Sequence, residues 1–230
     1  MVICRKLSPV IRQDYLMRLI EQAAAMLARL LRLQVEDRGP NAALANAEAA
    51  REWLGLEPAR LAAMTDEELV NALRGHGSVA EFPLRVGIAI RLLQIEAERL
   101  VNAGDEPAAT AMRTQAICLL LRAHILGVAE ELPDFTPHLN ELLKLFDGRG
   151  LPVRVAVLLM CQHEHTGQFA AAEDVLYELR ESLGYSEWMA ELGRTFYERL
   201  CKRTDSELTT GGLPRVEVEQ GLQDWRQFAS

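Results

Sequence analysis

The 230-residue sequence predicts an all-α protein whose helices stack in consecutive pairs. Three observations carry that expectation. Hydrophobic residues make up 49% and charged residues 25% of the chain, the balance of a globular protein. Aromatics are only 6%, so the apolar content is mostly Leu and Ala, and these, with Glu and Arg, lose little side-chain freedom in a helix. Apolar residues recur at three, four and seven positions, and no stretch alternates with the period of two that a half-buried strand needs.

Ser8 and Pro9 suit a helix start, which opens a helix running to about Leu33. Ile11, Tyr15, Leu19, Met26, Leu30 and Leu33 share one face of it, and Arg12, Arg18, Glu21, Arg29 and Arg32 mostly fall outside. Arg38, Gly39 and Pro40 break the pattern, and a second helix follows over 41 to 54 with Leu44, Ala47, Ala50 and Trp53 at helical spacing. Thr65 and Glu68 form a capping box, each closing on the other's backbone amide, and open a short helix ending near Arg74. Gly75, Gly77 and Ser78 then mark a boundary near residue 78. Beyond it helices are expected over 82 to 103, 105 to 126, 136 to 147, 152 to 166, 169 to 183 and 187 to 203. The organisation expected is therefore an N-terminal amphipathic module (1–78), three helix pairs (79–203) and a tail with a short helix (204–230).

One pattern repeats: Gly104 with Ala109 five residues on, and Gly167 with Ala172. A Gly lets the chain reverse through a left-handed conformation, and a small residue lets the next helix approach the preceding one closely. Thr166-Gly167-Gln168-Phe169-Ala170-Ala171-Ala172-Glu173-Asp174-Val175-Leu176 resembles the turn and second helix of a tetratricopeptide repeat. At Gly104 the resemblance is weaker, because Glu106 replaces an aromatic and Pro107 enters the first turn; Leu192-Gly193 with Tyr197 is a loose echo. Four further stretches stand out: Arg12-Gln13-Asp14-Tyr15-Leu16-Met17-Arg18-Leu19-Ile20-Glu21-Gln22, the segment 167 to 181, Phe196-Tyr197-Glu198-Arg199-Leu200 and Gly211-Gly212-Leu213-Pro214-Arg215 with the segment 216 to 222. Through them the whole chain resembles an uncharacterised bacterial family of helical, tetratricopeptide-like proteins, a domain of unknown function. The resemblance implies stacked helical hairpins in a right-handed superhelix and supplies no reaction.

A net charge of −8 argues against a nucleic-acid backbone as partner, since that affinity comes from Lys and Arg displacing counterions. Cys4, Cys118, Cys161 and Cys201 show no paired spacing of the zinc or redox kind. Arg18, Glu21, Arg29 and Arg32 interrupt the most apolar segment, so no membrane span is expected, and no secretory signal is legible. The expected location is the cytoplasm.

No catalytic, cofactor-binding or metal residue is assigned. Cys161, His163 and His165 form the most site-like cluster, yet His163 points roughly 160° away from Cys161 on a helix. Glu130-Glu131, Glu67-Glu68 and Glu96 with Glu98 are expected on solvated faces beside Arg99, Arg122 and Arg180. Gly75-His76-Gly77-Ser78 lacks the Lys and preceding strand of a phosphate loop, and Trp53, Trp188 and Trp225 are expected to pack between helices. No GxSxG elbow, Walker loop, GxGxxG or HExxH motif is present.

The expected function is non-catalytic: an adaptor or scaffold that takes a protein or peptide in a concave groove. The alternatives are a small-ligand-binding helical sensor or an enzyme with an unrecognised site near Cys161 to His165. The N-terminal stripe is expected to seal the helical stack, with a homodimer seam or a partner-binding helix as its alternatives and a membrane surface disfavoured.

Overall fold

The computed structural model describes residues 9–36, 40–184 and 186–228, with side chains from residue 13 to 227. Cys4, Ser8, Arg38 and Gly39 lie outside the described residues. Among the described residues there are twelve α-helices and no strand. They fall into two compact units, Met1–Arg149 and Gly150–Ser230. The boundary expected near residue 78 therefore lies inside the first unit, and the segment expected as a tail is built into the second.

The first unit is organised around α5 (Phe82–Asn102). Every residue from Phe82 to Ile90 is buried, so this helix is covered on all sides instead of along one stripe. Its partners are α6 (Glu106–Ile125), its antiparallel neighbour, together with α1 (Pro9–Glu36), α2 (Pro40–Leu54), α3 (Pro58–Ala63) and α4 (Asp66–Gly75). Burying each Leu or Ile of α5 contributes about 1.5–3 kcal/mol. That gain explains why α1 to α4 pack against α5, with α3 and α4 also touching α6.

The buried faces of α1 and α2 differ from the expected ones. On α1 the buried residues are Ala23, Leu27 and Leu30, with Gln34 donating to the Ile95 carbonyl, whereas Tyr15 is 51% exposed. On α2 they are Ala42, Asn46, Ala49, Ala50 and Leu54, and Leu44 is exposed. Small residues let α2 lie close to α5, where the Asn46 amide donates to the Glu96 carboxylate at 3.2 Å and the Leu92 carbonyl at 3.4 Å. An apolar-period count prefers the large residues; close approach selected the small ones.

The capping box at α4 forms as the sequence predicts: the Glu68 amide donates to the Thr65 hydroxyl and the Thr65 amide donates to the Glu68 carboxylate. The far end of α4 is held by Arg85, which is 3% exposed. Its Nε donates to the Leu73 carbonyl at 2.7 Å, its Nη2 to the Ser78 carbonyl at 2.9 Å and its Nη1 to Glu81 at 3.1 Å. A buried cation thus satisfies an orphan carbonyl in the last turn of α4, where the helix dipole favours positive charge.

The Gly–Ala signals also appear as geometry. Gly104 and Gly167 both adopt positive φ, at +80° and +74°. In each, the Gly amide donates three residues back and the next amide five residues back, the Schellman pattern of hydrogen bonds. Ala109 and Ala172 are fully buried. The two turns join α5 to α6 and α8 (Val153–His165) to α9 (Phe169–Leu183), the helices on either side of each glycine. The segment 136 to 147 forms only a five-residue helix, α7 (Leu139–Leu143), and a 3₁₀ turn packed on α6, so it supplies no third hairpin.

In the second unit α10 (Glu187–Leu200) packs chiefly on α12 (Arg215–Phe228), reached through α11 (Asp205–Thr210). Two glycines make that contact. A Cβ at Gly193 on α10 would stand 2.2 Å from the Trp225 ring of α12, and a Cβ at Gly221 on α12 would stand 2.2 Å from the Tyr197 ring of α10. Each helix thus offers a notch and, four residues on, the aromatic that fills the other's notch. Trp225 and Tyr197 are both fully buried.

Two stability outcomes follow. Gly221→Ala overpacks the Tyr197 contact and is expected to cost about 1–3 kcal/mol, whereas Gly75→Ala, which meets nothing within 4 Å, is expected to be neutral or slightly stabilising. Denaturant midpoints of the two variants check this; equal midpoints would contradict it. Arg85→Leu strands the Leu73 and Ser78 carbonyls and Glu81, and is expected to lower stability by about 2–4 kcal/mol in the same measurement.

Candidate functional site

A cleft of the first unit lies between the last turns of α6 and the irregular segment that follows it. Its volume is about 640 Å³. Two prolines, Pro133 and Pro137, keep that segment out of a helix, because each lacks an amide donor and restricts the residue before it. The segment lies against α5 at Gly87, where a Cβ would stand 2.6 Å from the Thr136 hydroxyl. A glycine in the middle of a buried helix therefore positions one wall of the cleft.

Leu120, Leu132, Pro133 and Leu139 give the cleft an apolar floor, and Asp134, His138 and Asn140 give it an exposed polar rim. His124 reaches it from α6 and is half-buried. Burial pushes the His124 imidazole below its ordinary value, because a charged ring loses hydration there. A neutral imidazole offers one donor and one acceptor. The single hydroxyl in the lining, that of Thr136, is buried against α5 and has no hydrogen-bond partner of its own. The cleft can therefore hold an apolar group and orient it through a few polar contacts.

The residues singled out in the sequence are dispersed. Cys161 is half-buried on α8, His163 Nδ1 is 2.9 Å from Gln168 Oε1, and His165 is exposed. Among the described residues no three His, Cys, Asp or Glu side chains are grouped to hold a metal ion. Glu68 is occupied by its capping role, Glu96 pairs with Arg99 and Asn46, and Glu67, Glu98, Glu130 and Glu131 are exposed. The turn Gly75-His76-Gly77-Ser78 is wrapped around the Arg85 guanidinium, so the place where a phosphate would sit is filled by a cation of the chain itself. Trp225 packs as expected, whereas Trp188 is 49% exposed.

In the second unit Glu173 is half-buried, and burial raises its carboxyl above the ordinary value although the Tyr197 hydroxyl donates to it. Burial and that hydrogen bond push the Tyr197 phenol upward, out of any physiological titration.

His124, Asp134, Thr136, His138 and Asn140 escaped the sequence reading because they match no motif. The available signal was a pair of prolines, Pro133 in the gap between the helices expected at 105 to 126 and 136 to 147 and Pro137 in the first turn of the second, which together mark an irregular stretch of backbone.

The fold defines an all-helical protein, and no helix among the described residues is long and apolar enough to cross a membrane. The chain belongs to a family of unknown function (DUF6483), whose model matches residues 10–230. No curated protein and no solved structure matches it.

A pH outcome follows from His124. The unfolded imidazole protonates near pH 6.5 and the folded one only at lower pH, so the unfolded state takes up the proton first. Stability from keeping the ring neutral is complete above about pH 6.5 and is lost as pH falls below it. Melting temperatures between pH 7 and 5 are expected to fall more steeply for the wild type than for His124→Gln; parallel curves would contradict this.

Proposed function

We propose that the protein is a non-catalytic helical adaptor, and that the cleft between α6 and the 129–140 segment receives an extended segment of a partner protein. The observation that supports this reading is the cleft itself: an apolar floor, a rim of Asp134, His138 and Asn140, and an opening along an irregular backbone. An extended peptide places alternate side chains on the floor and leaves its amides for the rim. The pair α5/α6 acts in this reading as a tetratricopeptide-like hairpin that holds one wall of the cleft rigid, in a cytoplasmic protein.

A second reading is favoured by the cleft's volume, which falls in the range of about 300–1,000 Å³ typical of small-ligand pockets. In that reading the molecule is a sensor, and the His124 imidazole orients an apolar ligand.

A photo-crosslinking residue at Asn140 tests the first reading in living cells. A discrete protein adduct is expected, abolished by Leu139→Arg and absent when the probe stands at exposed Glu98. Failure to form any adduct under varied growth conditions would count against the adaptor. Native mass spectrometry then decides the second reading: a retained mass of a few hundred daltons, lost in Leu139→Arg, would replace the peptide by a small molecule.

A further inference from the structure

Helix α1 presents a second apolar face that its own unit leaves open. At about 100° per residue, Met17, Ala24, Ala28, Leu31 and Val35 fall within an arc of about 60°, roughly a quarter-turn from the buried line of Ala23, Leu27, Leu30 and Gln34. Met17 is 51% and Val35 78% exposed, Ala24 and Ala28 are exposed, and Leu31 is half-buried. A groove of about 320 Å³ runs along the solvent side of this face, lined by Ala28 together with Ala25, Arg29, Arg32, Leu33 and Glu36. The face is about 28 Å long, from residue 17 to residue 35, at 1.5 Å per residue.

We infer that this face is the seam of a homodimer in which two copies of α1 pair antiparallel. The charge pattern along its edge selects a second copy as the occupant. Glu21 and Arg32 border the stripe on its solvent side, one towards each end. In an antiparallel pair with Met17 facing Val35 of the second copy, Ala24 faces Ala28, and the two-fold axis repeats both contacts. Small residues at the centre let the helices approach closely, while the larger ones close the ends. The same register brings Glu21 of each copy within one position of Arg32 of the other, which gives two symmetric ion pairs. Sliding one helical turn further sets Glu21 opposite Val35 and beside Glu36, where like charges meet. A lipid surface fits less well, because carboxylates stand beside the arginines of the polar edge and the chain has a net charge of −8. This inference does not rest on the cleft reading, since it uses no residue of the cleft.

Sedimentation equilibrium of the full chain tests it. The wild type is expected at twice 25.7 kDa. Glu21→Arg sets arginines against each other and is expected to weaken association about tenfold or more, with helix content unchanged by circular dichroism. The double variant Glu21→Arg with Arg32→Glu restores opposite charges and is expected to recover dimerisation to within about threefold of wild type. A wild type that stays monomeric at about 100 μM, a concentration a modest interface saturates, would overturn the seam. So would a dimer indifferent to both Glu21→Arg and Ala28→Glu. A monomer that floats with anionic phosphatidylglycerol vesicles would overturn it as well and assign the face to a lipid surface.

Discussion

A helix buried on every side cannot be satisfied by a single partner. Between Phe82 and Ile90 every residue of α5 is buried, and α1, α2, α3, α4, α6 and the irregular segment after α6 enclose the helix. The oddities of the first unit follow from that enclosure. Alanines and Asn46 replace large residues on α2, because neighbours crowd around one axis. Gly87 interrupts the apolar run where the irregular segment must cross at backbone distance. Arg85 is tolerated inside because the end of α4 and its following turn bring carbonyls to its Nε and Nη2, while the Glu81 carboxylate takes its Nη1. The cleft is thus a by-product of packing: one wall is α6, and the other is the segment that Gly87 admits.

The second unit solves a different problem with short-range devices. Its helices are amphipathic, and the segment 204–230 closes them. The Gly211 carbonyl accepts from the Ala170 amide at 3.0 Å, which caps the start of α9. Arg215 donates to the Cys201 carbonyl at 2.9 Å and to the Arg203 carbonyl, which caps the end of α10. The Gly193–Trp225 and Gly221–Tyr197 notches then fix the register of α12. The segment Gly211 to Arg215 is therefore structural, and its glycines serve close approach. Glu173 lies at the margin of this contact, where the Tyr197 hydroxyl binds a carboxylate that would be easier to hold protonated.

Helix positions were legible because period, caps and breakers agree along most of the chain. The expected 169 to 183 matches Phe169–Leu183, and the capping box at Thr65 opens the helix it announces. What was not legible depends on tertiary contact. The six-residue α3 is too short to show a period, and α11 and α12 gain their stability from docking. The buried line of α1 lies beside the one that apolar spacing proposes, since a helix with apolar residues over more than half its circumference does not say which arc faces the core. The cleft residues share no spacing, because the chain brings them together only by folding the segment back across α5.

The repeated Gly–Ala signal shows how far a local device reaches. Gly104 and Gly167 make the same turn with the same hydrogen bonds, and each sets a buried alanine against the preceding helix. That fixes a hairpin. It does not fix what the hairpin stacks on, because the outer faces of the two pairs carry different residues. The α5 side is buried all round from Phe82 to Ile90 and is met by the four helices that precede it, while α8 is tied to α10 by the Arg199–Glu164 pair at 2.7 and 2.8 Å. A turn motif can recur wherever two helices must reverse within three residues. An array needs a recurring interface as well, and the interfaces around α5 and α9 are built from unlike parts. The hairpins are therefore best understood as equivalent pieces placed in unequal surroundings, and the cleft, which belongs to only one of them, arises from the inequality.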